Sequence, residues 1–235
     1  MDRQRQIINV AVFSALVFVA TFILRVTIPA TSGYFNIGDS MIYVAALLYG
    51  PLVGGLAGGI GASLADIVGY PIFAPGTFII KLIEGAVVGY VGFKIRPRME
   101  AVSSWKALSV LFGIILGLAT YYIGVNYMAP FGNALADQIL WAVIGFFLGV
   151  FIVSMSLRGG IHVSWQTTAI VIGGAEMVAG YFFYEILLAS ILPGLGIYAI
   201  GEIPLNIGQM LVGLTIALPV IKGVQSALPS VSRSS

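Results

Sequence analysis

Apolar residues run along this chain in blocks of about twenty, the length of helix that crosses a bilayer, and short polar stretches separate the blocks. Their pattern predicts span 1 over about Ile7 to Pro29, with Arg25 near its far end, and then a polar and aromatic loop from Thr31 to Ser40. Met41 to Tyr49 and Leu52 to Val68 flank Gly50-Pro51. Proline lacks an N–H and its ring clashes with the preceding turn, so two short helices, 2 and 3, are expected there. One long kinked helix over 41–68 is the competing reading, and it would reverse the sidedness of everything downstream. Span 4 follows at about Thr77 to Phe93, spans 5 and 6 at Ala107 to Tyr127 and Gln138 to Leu157, span 7 at Thr167 to Leu192 and span 8 at Ile200 to Ile221.

Charges break this pattern in few places. Lys81 and Glu84 lie inside an apolar run, where a charge costs about 2.5–3.5 kcal/mol even on a mild insertion scale. They are three residues apart, so they share a helix face. A structural ion pair and a polar site in the membrane both fit that spacing. With eight spans, nine of eleven Lys and Arg fall on one side (Arg3, Arg5, Lys94, Arg96, Arg98, Lys106, Arg158, Lys222 and Arg233). The positive-inside rule makes that side, and both termini, cytoplasmic.

This topology gives the polar residues a depth. Lys81 and Glu84 fall in the outer half of span 4, and Tyr181, Tyr184 and Glu185 in the outer half of span 7. Glu202 falls at the outer mouth of span 8, with Asn206 and Gln209 deeper on the same stripe. Asp39, Asp66 and Asp137 fall at outer helix ends or loops, and Asp66 reads as a helix-end or loop-ordering residue. Tyr34, Phe35, Tyr70, Phe73, Phe78 and Tyr181 to Tyr184 crowd the same level. Such residues form either an interfacial belt or the walls of a pocket for a planar heterocycle.

Composition agrees with the pattern: 59% hydrophobic residues, 9% charged and a mean hydropathy of +1.04 describe an all-α integral membrane protein of the cell membrane. A net charge of +2 with no basic patch argues against nucleic acid, and the absence of cysteine removes disulfides and thiolate chemistry. The first apolar run follows MDRQRQ without a small-residue cleavage site, and reads as a span rather than a removed signal peptide. His162 is expected in a cytoplasmic loop beside Gly159-Gly160; a lone histidine makes no metal site. GGLAGGIG is not followed by Lys-Ser or Lys-Thr, so it is a packing element rather than a P-loop, and the chain has no ATP-hydrolysing motif. Small-xxx-small spacing recurs at Gly54/Gly58, Gly55/Gly59, Gly85/Gly89, Gly113/Gly117 and Gly145/Gly149.

Several stretches together carry a specific resemblance: Gly38-Asp39, Gly50-Pro51, Leu64-Ala65-Asp66, Lys81 with Glu84-Gly85, Glu176 to Tyr181, and Asn206 with Gln209. In these the chain resembles the substrate-binding (S) components of energy-coupling factor (ECF) vitamin transporters, in the riboflavin-type or unassigned-substrate group. Ala11 and Ala15 match the AxxxA spacing that contacts the transmembrane T component in that family. The resemblance implies a single membrane domain with a six-helix core, residues 1–98 and 163–225. Residues 105–157 form an additional transmembrane hairpin and 226–235 a cytoplasmic tail.

It further implies capture of a vitamin or vitamin precursor from outside, under a closing first loop, and delivery through the T component and two ABC-type ATPases. ATP would be used by those partners only, and the chain itself would have no cofactor and no catalytic role. Tyr34, Asn36, Asp39, Lys81, Glu84, Glu176, Tyr181, Tyr184, Glu185, Asn206 and Gln209 are the implied substrate contacts. A self-sufficient ion-coupled transporter using Lys81, Glu84 and Glu185 is the alternative. A flavin, a pyrimidine, a pyridoxine-like ring or another small heterocycle would suit the same walls.

Overall fold

A computed structural model of the chain describes residues 2–28, 33–94, 105–127, 133–193 and 199–227. Each predicted apolar block is helical: α1 (Arg3–Ile23), α2 (Gly38–Tyr49), α3 (Pro51–Gly69), α4 (Ala74–Gly89, continued by a π-helical turn at Tyr90–Lys94), α5 (Trp105–Tyr127), α6 (Ala134–Ile191) and α7 (Ala199–Ala227). Among the described residues six helical segments are long and apolar enough to cross a membrane, and the apolar α2, at twelve residues, is shorter. Large apolar side chains such as Ile7, Val12, Leu16, Ile67, Ile79, Phe146 and Phe183 are exposed on these helices. An outer surface of this kind suits lipid, and the protein is an all-α integral membrane protein. Most of the basic loop after Lys94, with Arg96 and Arg98, and the end of the tail, with Arg233, lie outside the described residues.

Three expectations are corrected. Span 1 does not reach Pro29: α1 ends at Ile23, and β1 (Val26–Ile28) pairs antiparallel with β2 (Gly33–Phe35), Thr27 opposite Tyr34. The β-branched run Val26-Thr27-Ile28 suits a strand better than a helix. The predicted loop up to Ser40 therefore contains β2 and the first turn of α2. Spans 6 and 7 are two helical segments, Ala134–Met155 and His162–Ile191, and in place of the expected loop the break between them falls at Gly160 (φ 71°, ψ −163°), a left-handed φ that glycine adopts without steric cost. His162 consequently sits in a helix rather than a loop.

The chain forms two compact units, residues 1–96 with 168–235 and residues 97–167. In the first, α2 is the central element, with ten of its twelve residues buried. At about 1.5 Å per residue it is about 18 Å long, too short to cross a hydrocarbon core of about 30 Å alone. Gly50 (φ 89°) turns the chain sharply and Pro51 starts α3, so the break expected there is present. Along the α3–α4 seam the GGLAGGIG run meets backbone: a Cβ on Gly55, Gly58 or Gly59 would lie 2.8, 2.6 or 2.9 Å from the carbonyl oxygens of Leu82, Lys81 and Phe78. Such approach is what small residues permit between membrane helices. α1 turns Ser14, Val17 and Thr21 inward and leaves Val12, Leu16 and Val19 outward, the reverse of a soluble helix.

The second unit is a pair of helices, α5 and the first limb of α6, closed by another glycine seam. A Cβ on Gly113 would lie 2.8 Å from the Gly149 carbonyl oxygen, and one on Gly117 2.7 Å from that of Gly145. A concavity of about 780 Å³ runs along this pair. Its walls are mostly apolar and Arg158 is its single charged side chain, so it has the surface of a lipid-facing groove.

Candidate functional site

Buried polar side chains of the first unit gather in two places. The first centres on Lys81 of α4, which faces Asp39 in the first turn of α2 and Glu84 one turn further along its own helix. Its ammonium donates to Asp39 Oδ1 at 2.5 Å and to Glu84 Oε2 at 3.0 Å, and the Tyr43 hydroxyl donates to Glu84 Oε1 at 2.8 Å. All four side chains are at most 3% exposed. Glycine makes room for them: a Cβ on Gly213 of α7 would lie 2.9 Å from the Tyr43 ring and 3.1 Å from Asp39 Cβ. The Lys81 ammonium also lies 5.5 Å from the centre of the Tyr181 ring. One cation between two carboxylates is a paired ion cluster, since buried charges persist where they are paired, although Asp39 Oδ2 has no hydrogen-bond partner.

The second place is a cavity of about 30 Å³, room for about one water molecule. Five elements build it. The β-hairpin supplies Gly33 and Tyr34, and the turn after it supplies Asn36. α3 supplies Asp66, α4 Thr77, the second limb of α6 Tyr181 and Glu185, and α7 Glu202, Asn206 and Gln209. Helical spacing puts Glu202, Asn206 and Gln209 on one face of α7, as the sequence indicated.

Side-chain hydrogen bonds tie the hairpin down across this cavity. The Asn36 backbone N–H and its Nδ2 both donate to Gln209 Oε1, at 2.8 and 2.5 Å, and Gln209 Nε2 donates to Asn206 Oδ1 at 3.0 Å. Asn36 Oδ1 accepts from the Gly38 N–H at 2.7 Å, so the same amide caps the start of α2. On the opposite wall the Tyr34 hydroxyl donates to Asp66 Oδ1. Thr77 donates to Asp66 Oδ2 at 2.6 Å, and Tyr181 donates to Thr77 Oγ1 at 3.1 Å. Burial, reinforced by the facing Asp66 carboxylate, holds the Tyr34 phenol well above the usual tyrosine range, so it remains a donor.

An aromatic clasp backs the hairpin. The Tyr34 and Tyr70 rings stack 4.7 Å apart, and the Thr27 and Tyr70 hydroxyls share a 2.8 Å hydrogen bond. The Arg25 guanidinium lies 4.6 Å from the centre of the Tyr34 ring and donates to the Ala65 carbonyl at 3.0 Å.

The cavity thus brings together Tyr34, Asn36, Tyr181, Glu185, Asn206 and Gln209 of the expected contacts. It does not bring in Asp39, Lys81 or Glu84, whose charges are directed at one another. Nor does it take Tyr184, whose hydroxyl donates to the Ile72 carbonyl at 2.8 Å and whose ring covers Gly76, or the half-buried Glu176. Asp66, Thr77 and Glu202 line the cavity without having been expected as contacts. Asp66 orders Tyr34, which agrees with its reading as a loop-ordering residue. Glu202 carried a signal in its shared stripe with Asn206 and Gln209; Thr77 carried none, being one small hydroxyl in an apolar helix. Ala11 and Ala15 are exposed on α1.

Comparison with known proteins gives this arrangement a family. A family model described as "ECF-type riboflavin transporter, S component" matches residues 2–139. A protein of Pyrococcus woesei, described as "Uncharacterized protein in gap 3'region", is 40% identical over 141 residues, covering 57% of this chain and 88% of that protein. No solved structure matches the chain. The matched region holds the hairpin, Asp66 and Thr77, while Tyr181, Glu185 and the α7 residues lie beyond it. With more than half of its length covered by that model, the chain belongs to the family of S components of ECF-type riboflavin transporters.

Proposed function

We propose that this protein is the capture subunit for uptake of a vitamin or vitamin precursor, and that the cavity under the β-hairpin is where the substrate sits. The observation that carries this reading is the clamp between Asn36 on the hairpin side and Gln209 on α7, across a cavity lined by convergent polar groups. Small-molecule sites have this composition, a few placed polar groups among aromatic and apolar walls. Sites for drug-sized ligands measure about 300–1,000 Å³, so at about 30 Å³ this one is closed. The hairpin must lift for a heterocycle to enter, and the hydrogen bonds it gives up are those that would re-form around, or be replaced by, the ligand.

The nine Lys and Arg that fall between the predicted spans support cytoplasmic termini and a hairpin facing outside, which makes the captured molecule extracellular. Eight crossings follow if the short α2 and the 23-residue α5 count with the other six segments. The family name supports riboflavin as the first substrate to try, and an ECF T component with two ABC-type ATPases as the partners. The exposed Ala11 and Ala15 on α1 offer the T component a face along which a second helix can approach closely.

The test is mass spectrometry of small molecules released by denaturing the detergent-purified protein, expressed without any ATPase. Near-stoichiometric recovery of a vitamin-like compound is expected. An empty protein that instead drives sodium- or proton-dependent uptake in liposomes would replace this reading with that of a secondary transporter.

A further inference from the structure

The groove of the second unit has one polar end. It runs between α5 and the first limb of α6, from Tyr121 and Ala142 to Leu157 and Arg158. The two helices are antiparallel, since Gly113 faces Gly149 and Gly117 faces Gly145. With glycine at those four positions the floor is backbone, and the exposed side chains of Ile114, Leu118, Phe146 and Val150 stand up as walls. Ser154 and Arg158, one turn apart on the same face of α6, close one end.

The dimensions of the groove suit a long, thin occupant. From Ala142 to Arg158 it follows α6 for about 24 Å, at about 1.5 Å per residue. About 780 Å³ spread over that length is a cross-section of about 33 Å², less than half of what a helix about 10 Å across occupies. A helix from a second copy or from a partner cannot seat itself in so narrow a space. A fatty acyl chain is flexible, apolar and one carbon wide, and it can.

Charge says what the chain is attached to. Arg158 is exposed, is the one charged side chain in the lining, and makes no ion pair among the described residues. A guanidinium offers a fork of N–H donors that matches phosphate oxygens in pairs. In the topology proposed above this end faces the cytoplasm, where the leaflet carries anionic lipid and basic pockets between membrane helices hold its headgroups.

We propose that the groove binds one anionic phospholipid of the cytoplasmic leaflet, with its phosphate on Arg158 and Ser154 and an acyl chain laid along the glycine floor. The lining shares no residue with the cavity under the hairpin, so this lipid site stands or falls independently of the capture reading.

The experiment is native mass spectrometry of the detergent-purified full chain, titrated separately with dioleoylphosphatidylglycerol and dioleoylphosphatidylcholine, which have the same acyl chains. The first retained lipid is expected to bind about fivefold more tightly as phosphatidylglycerol, the effect of one cation near a membrane surface. Arg158→Gln should reduce the ratio to about twofold or less, and Arg158→Lys should restore about threefold or more. Lys222→Gln, a cation of α7 outside the lining, should leave the ratio unchanged. Val150→Trp, which fills the groove, should weaken retention of both lipids. Glycerol 3-phosphate, a headgroup without chains, should displace neither.

Equal retention of the two lipids by the wild type would make Arg158 an arginine that only reaches for water, and would overturn the proposal. So would a preference that survives Arg158→Gln or falls equally with Lys222→Gln. Retention unaffected by Val150→Trp would place the chain elsewhere, and displacement by glycerol 3-phosphate would replace the lipid with a soluble phosphate.

Discussion

Lys81 and Glu185 are both buried, ionisable and embedded in apolar helices, yet the structure gives them opposite situations. Lys81 has two carboxylates within hydrogen-bond distance, and one of those is held in turn by Tyr43. Glu185 lines the small cavity, has an oxygen with no donor and makes no ion pair among the described residues. The contrast teaches that a charge within a span does not by itself mark a binding site. Paired charge holds α2 against α4, whereas the carboxylate of Glu185 lines a cavity without an ion-pair partner among the described residues.

The comparison is most easily broken at Lys81. Lys81→Met leaves Asp39 and Glu84 facing one another without a counter-charge, and breaking a buried pair in this way costs about 3–5 kcal/mol. A large fall in melting temperature and in the yield of folded protein is expected, read by thermal unfolding in detergent. Lys81→Met with Glu84→Gln should recover part of that loss. A single variant that melts like the wild type but no longer holds its ligand would place Lys81 in the site after all. The smallest effect is expected at Glu176, outside the cavity lining. Glu176→Gln should change affinity for the compound released from the wild-type protein by less than about threefold, under about 1 kcal/mol, in equilibrium binding.

Most of the fold could be read from the pattern of apolar blocks, because in a bilayer every backbone group must be satisfied within its own segment and only helices of sufficient length do this locally. The glycine seams were readable too, since Gly54 with Gly58, Gly55 with Gly59, Gly113 with Gly117 and Gly145 with Gly149 repeat at helical spacing. The β-hairpin was not. Val26-Thr27-Ile28 continues the apolar run of α1 without a polar signal, and its pairing with Gly33-Tyr34-Phe35 is tertiary information. The Gly160 break looked like a loop because two adjacent glycines and Arg158 resemble an interhelical connection.

At the site, the α7 stripe was visible as Asn206 and Gln209 at three-residue spacing. The division of the charges was not. Whether Lys81 faces a ligand or Asp39 depends on α2 packing against α4, which no spacing within α4 encodes. Asp66 and Thr77 lie eleven residues apart on two helices, and only the turn through Tyr70 to Phe73 brings them together.

The central claim, that the substrate lies under the hairpin and not at the Lys81 cluster, is tested most directly at Asn206. Its side chain is buried, lines the cavity and accepts a hydrogen bond from Gln209. Affinity for the compound released from the wild-type protein, measured together with the melting temperature for Asn206→Ala, separates the two places. The account predicts binding weaker by about tenfold or more, about 1.4 kcal/mol, with melting lowered by only a few degrees. Unchanged affinity in a well-folded Asn206→Ala protein would contradict it.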